Sequence, residues 1–294
     1  MAVTDERFRY EARDGTPLAG FRWSAPGKPK AAIQLTHGAG EHAMRYFDVL
    51  KPIVEAGYVV YAADHRGHGM TSGMTSLGDF GPGGAPAAVD DMVVLMRLIA
   101  EREPGLPRIL FGHSMGAMFS QAWVLEHSEL IDALVLSGTA GPAPIRAESI
   151  NARFEPARTP YDWLSRDPAE VDKYVADPFC GIRFKADSQA SFMTLRERRF
   201  DAGTLARIKR GLPVYIFVGD ADPINDDLKR LTPLVDAYRA AGLDVTLKVY
   251  PGGRHEMLNE TNRDEVVADL RDWLDRTVAQ LAPSQLACSS ACQV

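Results

Sequence analysis

Serine, aspartate and histidine stand in this chain where a hydroxyl could be turned into a nucleophile. The segment Gly112-His113-Ser114-Met115-Gly116 follows the apolar run Arg108-Ile109-Leu110-Phe111 and precedes residues 117–125, AMFSQAWVL. The first run reads as a buried strand and the second as a helix. A Gly-x-Ser-x-Gly between strand and helix is a nucleophile elbow, a turn so sharp that the serine sits in strained backbone with its hydroxyl clear of the sheet. Residues two positions either side must be small to escape the strand and the helix, and here they are Gly112 and Gly116. Ser114 is therefore the expected nucleophile. A serine hydroxyl is weak until a base takes its proton. Histidine has the pKa for that task, and a carboxylate fixes its tautomer.

In an elbow architecture the chain order is serine, acid, histidine. Of seven histidines only His127 and His255 follow Ser114. His127 falls in the helix after the elbow and reads as a surface residue. His255 ends the loop Pro251-Gly252-Gly253-Arg254-His255, just past a strand-like run, and is the expected base. The acid is expected in Gly219-Asp220-Ala221-Asp222-Pro223, also just past a strand-like run. Asp222 is favoured and Asp220 is the alternative; the plainer reading is that both cap a turn. A tetrahedral intermediate needs two N–H donors for its oxyanion. The Met115 amide, at a helix start, is one. The Ala39 amide, in the loop His37-Gly38-Ala39-Gly40-Glu41-His42, is the other. His37 and His113 read as residues that hold loops. Asp64-His65-Arg66-Gly67-His68-Gly69 has metal-like residue types, but its glycines make a tight loop without a further ligand cluster. A buried network joining Asp64, His65 and Arg66 is expected instead. No metal and no cofactor are expected.

The elements that must position these residues alternate regularly. Residues 7–13 and 18–24 flank the turn Asp14-Gly15-Thr16-Pro17 and predict a hairpin. Strands are predicted over 31–35, 58–63, 108–111, 133–136, 213–218 and 245–250. Helices are predicted over 46–56, 87–103, 117–125 and 227–241. A last helix starts at Asn262-x-x-Glu265, with Val266, Leu270, Trp273, Leu274 and Leu281 on its apolar face. Such β-α-β alternation implies an α/β fold with a mostly parallel sheet covered by helices on both faces. Sites in such sheets lie at the carboxyl ends of the strands. Residues 141–204 break the pattern, with six prolines and mixed charge but no clear strand. The expected organisation is a core over 1–140, a helical cap insertion over 141–205, the rest of the core over 206–282 and a disordered tail over 283–294.

The 294 residues are 46% hydrophobic and 24% charged, which suits one large soluble domain. A net charge of −6 argues against a nucleic-acid partner. No apolar run approaches a membrane span, and the charged N-terminus lacks the apolar core of a signal peptide. Three cysteines, an odd and low number, point to a reducing compartment and a cytoplasmic location. Cys288 and Cys292 sit in the tail, and Cys180 reads as a small buried hydrophobe.

With these motifs in order, the chain resembles the monoacylglycerol lipase and lysophospholipase branch of the α/β-hydrolases. The resemblance spans nearly all of residues 31–281. It rests on His37-Gly38-Ala39-Gly40-Glu41-His42 with Arg45-Tyr46, on Asp64-His65-Arg66-Gly67-His68-Gly69, on the elbow, and on Gly219-Asp220-Ala221-Asp222. It implies Ser114, Asp222 and His255 as triad, Ala39 and Met115 as oxyanion donors, and the insertion as a cap over an acyl pocket. Asp177-Pro178-Phe179-Cys180 also resembles a segment of family caps. Two departures stand out. Where monoacylglycerol lipases often carry a second histidine three residues after the catalytic one, this chain has Leu258. Its first cap stretch, residues 148–158, has mixed charge where family lids have an apolar helix, which argues against membrane docking.

The expected function is hydrolysis of monoacylglycerol, lysophospholipid or smaller acyl esters through an acyl-enzyme. Phe154, Trp163, Phe179 and Leu258 are candidate substrate contacts; Ile150, Leu164, Phe192 and Met193 could join them or simply form the cap's own core. A prolyl-iminopeptidase-like reading needs a cap carboxylate for a free amine, and Glu148, Glu155 or Asp162 could serve. A catalytically silent binding module is the third reading. Dehalogenases and epoxide hydrolases of this fold use aspartate at the nucleophile, so Ser114 counts against them.

Overall fold

A computed structural model describes residues 2–141, 150–197 and 202–291; of 196, 197, 202 and 282–291 it describes the backbone alone. The strands are β1 (Thr4–Glu11), β2 (Pro17–Ser24), β3 (Ala31–Thr36), β4 (Tyr58–Ala63), β5 (Arg108–His113), β6 (Ala133–Ser137), β7 (Pro213–Gly219) and β8 (Asp244–Tyr250). They form one sheet in the order β1-β2-β4-β3-β5-β6-β7-β8. The hairpin β1–β2 is antiparallel and joins β4 antiparallel; every pairing from β4 to β8 is parallel.

The central strands are buried almost throughout, Gln34 of β3 included, because both faces of the sheet are covered. Alternate residues serve opposite cores: Leu110, Leu134, Leu136, Val214 and Ile216 on one face, Ile109, Phe111, Val135, Tyr215 and Phe217 on the other. Helices α3 (Gly84–Arg102) and α4 (Met115–His127) cover the first face, and α1 (Phe47–Glu55) covers the second. A short helix α2 (Gly69–Ser72) lies between β4 and α3. The chain runs out from β3 to β4 and then returns to place β5 on the other side of β3. The strand order reverses between β3 and β5, and the carboxyl ends there form a natural crevice.

Between β6 and β7 the described residues contain α5 (Pro168–Ala176), α6 (Ala186–Glu197) and α7 (Ala202–Leu205) and no strand. Helix α8 (Thr232–Ala240) starts later than residue 227 because Asp226, Asp227 and Leu228 all take left-handed backbone, which an α-helix cannot contain. Helix α9 (Arg263–Ala291) carries its backbone through residues 283–291, expected to be a disordered tail. Leucine and alanine at 286 and 287 are good helix formers, so the turn can continue beyond the apolar face. The Cys288 side chain and Cys292 lie outside the described residues.

Candidate active site

Ser114 sits at the carboxyl end of β5, where α4 begins. Its φ of 53° and ψ of −116° are unusual for a non-glycine residue. The surroundings enforce them. The Ser114 amide donates to the Ser137 carbonyl at the end of β6, 2.9 Å away. A Cβ on Gly116 would lie 2.1 Å from the Thr36 carbonyl oxygen of β3, and one on Gly112 would lie 2.6 Å from the Gly116 carbonyl oxygen. Both contacts are with backbone that cannot rotate away. Gly116→Ala is expected to cost about 1–3 kcal/mol through overpacking, read as a fall of several degrees in the thermal midpoint; an unchanged midpoint would mean that β3 and α4 are less closely packed than described.

His255 Nε2 lies 2.8 Å from Ser114 Oγ, and His255 Nδ1 lies 2.9 Å from Asp222 Oδ2. His255 follows β8 and Asp222 follows β7, so three strand ends converge. Asp222 is fully buried, and its other oxygen accepts the Ile224 amide at 2.8 Å. Asp220, the alternative acid, instead accepts the Gly252 amide at 2.7 Å on the exposed side of the loop. Burial pushes the His255 pKa down, but the Asp222 charge and hydrogen bond push harder, so it stands above the usual 6.5.

Ala39 lies in the loop after β3. Within that loop the Gly38 amide donates to Glu41 Oε1 at 2.5 Å and the Gly40 amide to His68 Nε2 at 3.3 Å. Met115 is the first residue of α4, where a backbone N–H has no intrahelical acceptor. Among the described residues neither the Ala39 nor the Met115 amide has a hydrogen-bond partner. His37 and His113 do hold loops. His37 Nδ1 donates to the Gly38 carbonyl at 2.8 Å, and its Nε2 accepts the His65 amide at 3.0 Å. His113 Nδ1 meets Ser137 Oγ at 2.9 Å, and burial holds its pKa down at about 4. The expected Asp64–His65–Arg66 network is replaced by three separate ties, because tight turns send the side chains apart. Asp64 accepts the Ala43 and Met70 amides, Arg66 pairs with Asp91 and Asp14, and the His65 ring packs 4.4 Å from that of His37.

Of the four candidate substrate contacts, Trp163 lies against the triad-like group, with its ring 4.8 Å from that of His255. It also borders an apolar cluster of Met118, Ala140 and Ile224, joined by Ile150 and Phe192. Phe154 packs under the Arg254 guanidinium at 4.2 Å, and Phe179 stands edge-on to His42 at 5.9 Å. Leu258 belongs to the core rather than the site: it is 4% exposed and packs in the cluster of Tyr46, Val266 and Leu270. The short 3-10 turn Met257–Asn259 aims it inward.

Sequence reasoning missed a buried charge network beside His255. Arg45 Nη1 donates to Glu41 Oε2 at 2.6 Å, and the same guanidinium grips both oxygens of Glu256 at 2.7 and 2.8 Å. Tyr46 donates to Glu41 Oε1 at 2.6 Å, and Asn259 to Glu256 Oε2 at 2.8 Å. Burial would raise the Glu256 pKa, but the Arg45 charge outweighs it and holds the carboxyl at about 2. The network ties the loop carrying Ala39 to the loop carrying His255. The i, i+4 spacing of Glu41 and Arg45 was the available signal.

Known proteins resemble this chain over most of its length. The model of the family described as "Serine aminopeptidase, S33" (Hydrolase_4) matches residues 27–262. A monoacylglycerol lipase of Mycolicibacterium smegmatis is 32% identical over 278 residues, covering 86% of this chain and 90% of that protein. The monoglyceride lipase of Homo sapiens is 29% identical, covering 90% and 89%. The solved structure of a thermostable carboxyl esterase from Bacillus coagulans superposes with a TM-score of 0.86 at 27% identity, covering 95% of this chain and 99% of that one. The chain belongs to the Hydrolase_4 family of α/β-hydrolases, within its monoacylglycerol-lipase-like branch of carboxylic ester hydrolases.

Proposed function

We propose that Ser114, His255 and Asp222 hydrolyse small acyl esters through an acyl-enzyme. The observation that carries this reading is the unbroken hydrogen-bonded line from Ser114 Oγ through His255 to buried Asp222, at a strained elbow. Ser114 Oγ attacks the ester carbonyl while His255 Nε2 takes its proton. The oxyanion is held by the Ala39 and Met115 amides. His255 then returns the proton to the departing alcohol, and water, activated by the same imidazole, releases the acid. The insertion over 141–205 acts as a cap, and Ile150, Trp163 and Phe192 with Met118, Ala140 and Ile224 receive the acyl chain. Among the described residues no helix is long and apolar enough to cross a membrane.

The test is hydrolysis of p-nitrophenyl esters from acetyl to dodecanoyl. A maximum at medium or long chains fits the apolar cluster and the monoacylglycerol or lysophospholipid reading; a maximum at acetyl or butyryl assigns a small-ester substrate. Absence of turnover at every length, with cleavage of an aminoacyl anilide, would favour a peptidase. Two of the carboxylates that a peptidase would need make local hydrogen bonds. Glu155 accepts the Ala157 amide, and Asp162 accepts Thr159 and the Arg158 amide. Glu148 lies outside the described residues.

The raised His255 pKa gives a pH prediction. The base must be neutral, so activity falls as pH drops through the His255 pKa. The acid limb of kcat/KM is therefore expected above 6.5, and Asp222→Asn should move it downward while lowering the plateau by about 10⁴-fold. An acid limb that stays in place in Asp222→Asn would detach the two residues.

A further inference from the structure

We propose that His42, Asp177 and Cys180 form a binding site for a divalent cation of the zinc class. Each offers one ligand atom, and the three atoms lie within 4.8 Å of one another. His42 Nε2 is 2.8 Å from Asp177 Oδ2. Nitrogen, oxygen and sulfur together suit a borderline-soft ion such as Zn²⁺; magnesium and calcium take oxygen alone. Three side chains leave the fourth tetrahedral position to water.

Local contacts hold the ligand residues in place. The turn closed by the Cys180 amide on the Asp177 carbonyl, at 3.0 Å, holds the two residues of the insertion together. The Phe179 amide donates to Asp177 Oδ1 at 2.8 Å, which orients the carboxylate as outer contacts do around metal ligands. The neighbouring Arg45 is already paired with Glu41 and Glu256. A cavity of about 560 Å³ lined by His42, Asp177, Glu170 and Lys173 gives a path in. Burial pushes the Cys180 thiol up, so it is protonated when free. Binding forms a metal–sulfur bond and releases that proton to solvent; the proton that His42 Nε2 donates to Asp177 passes to Nδ1, the ring's other nitrogen, and the freed Nε2 lone pair goes to the metal. The charge of the ion is then balanced by one thiolate and one carboxylate.

The site joins two parts of the fold. His42 follows the loop carrying Ala39, while Asp177 and Cys180 come from the insertion. The Gly181 amide and the Tyr174 hydroxyl already meet the Gly40 carbonyl at 2.9 and 2.8 Å. A bound ion adds a third tie between the insertion and that loop. Asp177 and Cys180 are three residues apart, but His42 lies far from both along the chain, so no sequence spacing shows the whole cluster.

The experiment uses the full chain with Cys288→Ser and Cys292→Ser, so that Cys180 is its one thiol. Chelator-stripped protein is titrated with Co²⁺ and then Zn²⁺. One Co²⁺ per chain with a thiolate-to-cobalt absorption band, displaced by Zn²⁺, is the expected result. Zn²⁺ should also raise the thermal midpoint. Cys180→Ser should abolish the band, and His42→Gln, which keeps the thiol, should weaken Zn²⁺ binding by about tenfold or more. Absence of a thiolate band in protein that melts cooperatively overturns the proposal. So does Zn²⁺ affinity unchanged in either variant.

Discussion

Ser114→Ala is expected to fold normally and to lose ester turnover by about 10⁴-fold or more. The substitution removes one oxygen from a half-buried position and leaves the strained backbone as it is, since alanine meets the same φ of 53°. The amide bond to Ser137 and the packing of Gly112 and Gly116 do not involve the hydroxyl. Stability should therefore hold within about 1 kcal/mol. Chemistry should not, because the covalent step has lost its nucleophile and His255 has nothing to deprotonate except water. On the proposed mechanism, what would remain is positioning and oxyanion stabilisation by the Ala39 and Met115 amides, giving a small residual rate. The measurement is kcat on a p-nitrophenyl ester beside labelling by a fluorophosphonate, with the thermal midpoint as control. Near-native turnover in a folded variant would remove Ser114 from the mechanism.

Arg45→Ala should damage the fold itself. Its guanidinium stands between Glu41 and Glu256, and the three side chains are 10%, 3% and 7% exposed. Removing the cation leaves two buried carboxylates facing each other, which costs about 3–5 kcal/mol. The thermal midpoint should fall by roughly ten degrees. Activity should fall as well, because the network joins the loop of Ala39 to the loop of His255. Combining Arg45→Met with Glu41→Gln and Glu256→Gln separates the causes. If unpaired charge is the cost, the triple variant recovers most of the midpoint; if lost packing is the cost, it does not. A single Arg45→Ala variant that melts like the parent would show that water reaches both carboxylates.

The legible part of this protein is the part written in local chemistry. Gly112 and Gly116 announce an elbow because the turn excludes any Cβ, and that exclusion is a property of a few consecutive residues. The continuous apolar runs of the central strands announce a sheet covered on both faces. Short loops just past such runs then point to Asp222 and His255, since in parallel sheets the carboxyl ends share one side. The sequence favours Asp222 and leaves Asp220 as the alternative, as both lie in the same turn. In the fold Asp222 turns inward to His255 Nδ1, while Asp220 turns outward and accepts the Gly252 amide.

The rest depends on where distant segments meet. Leu258 looked like a pocket residue from its place after His255, but a single 3-10 turn swings it into the core beside α9. Helix α8 is expected from 227 but starts at Thr232, because three successive left-handed residues before it leave no periodic trace. Arg45 is an ordinary charged residue in the sequence and becomes a linchpin only when β8 brings Glu256 to it. His42 and Cys180 likewise acquire a shared environment only when the insertion lies across the loop after β3. Residue type and near-neighbour sterics determined the elbow, the strands and the order of the candidate residues. Long-range packing alone decided which charges are buried together, because burial is a property of the assembled fold and not of any segment of it.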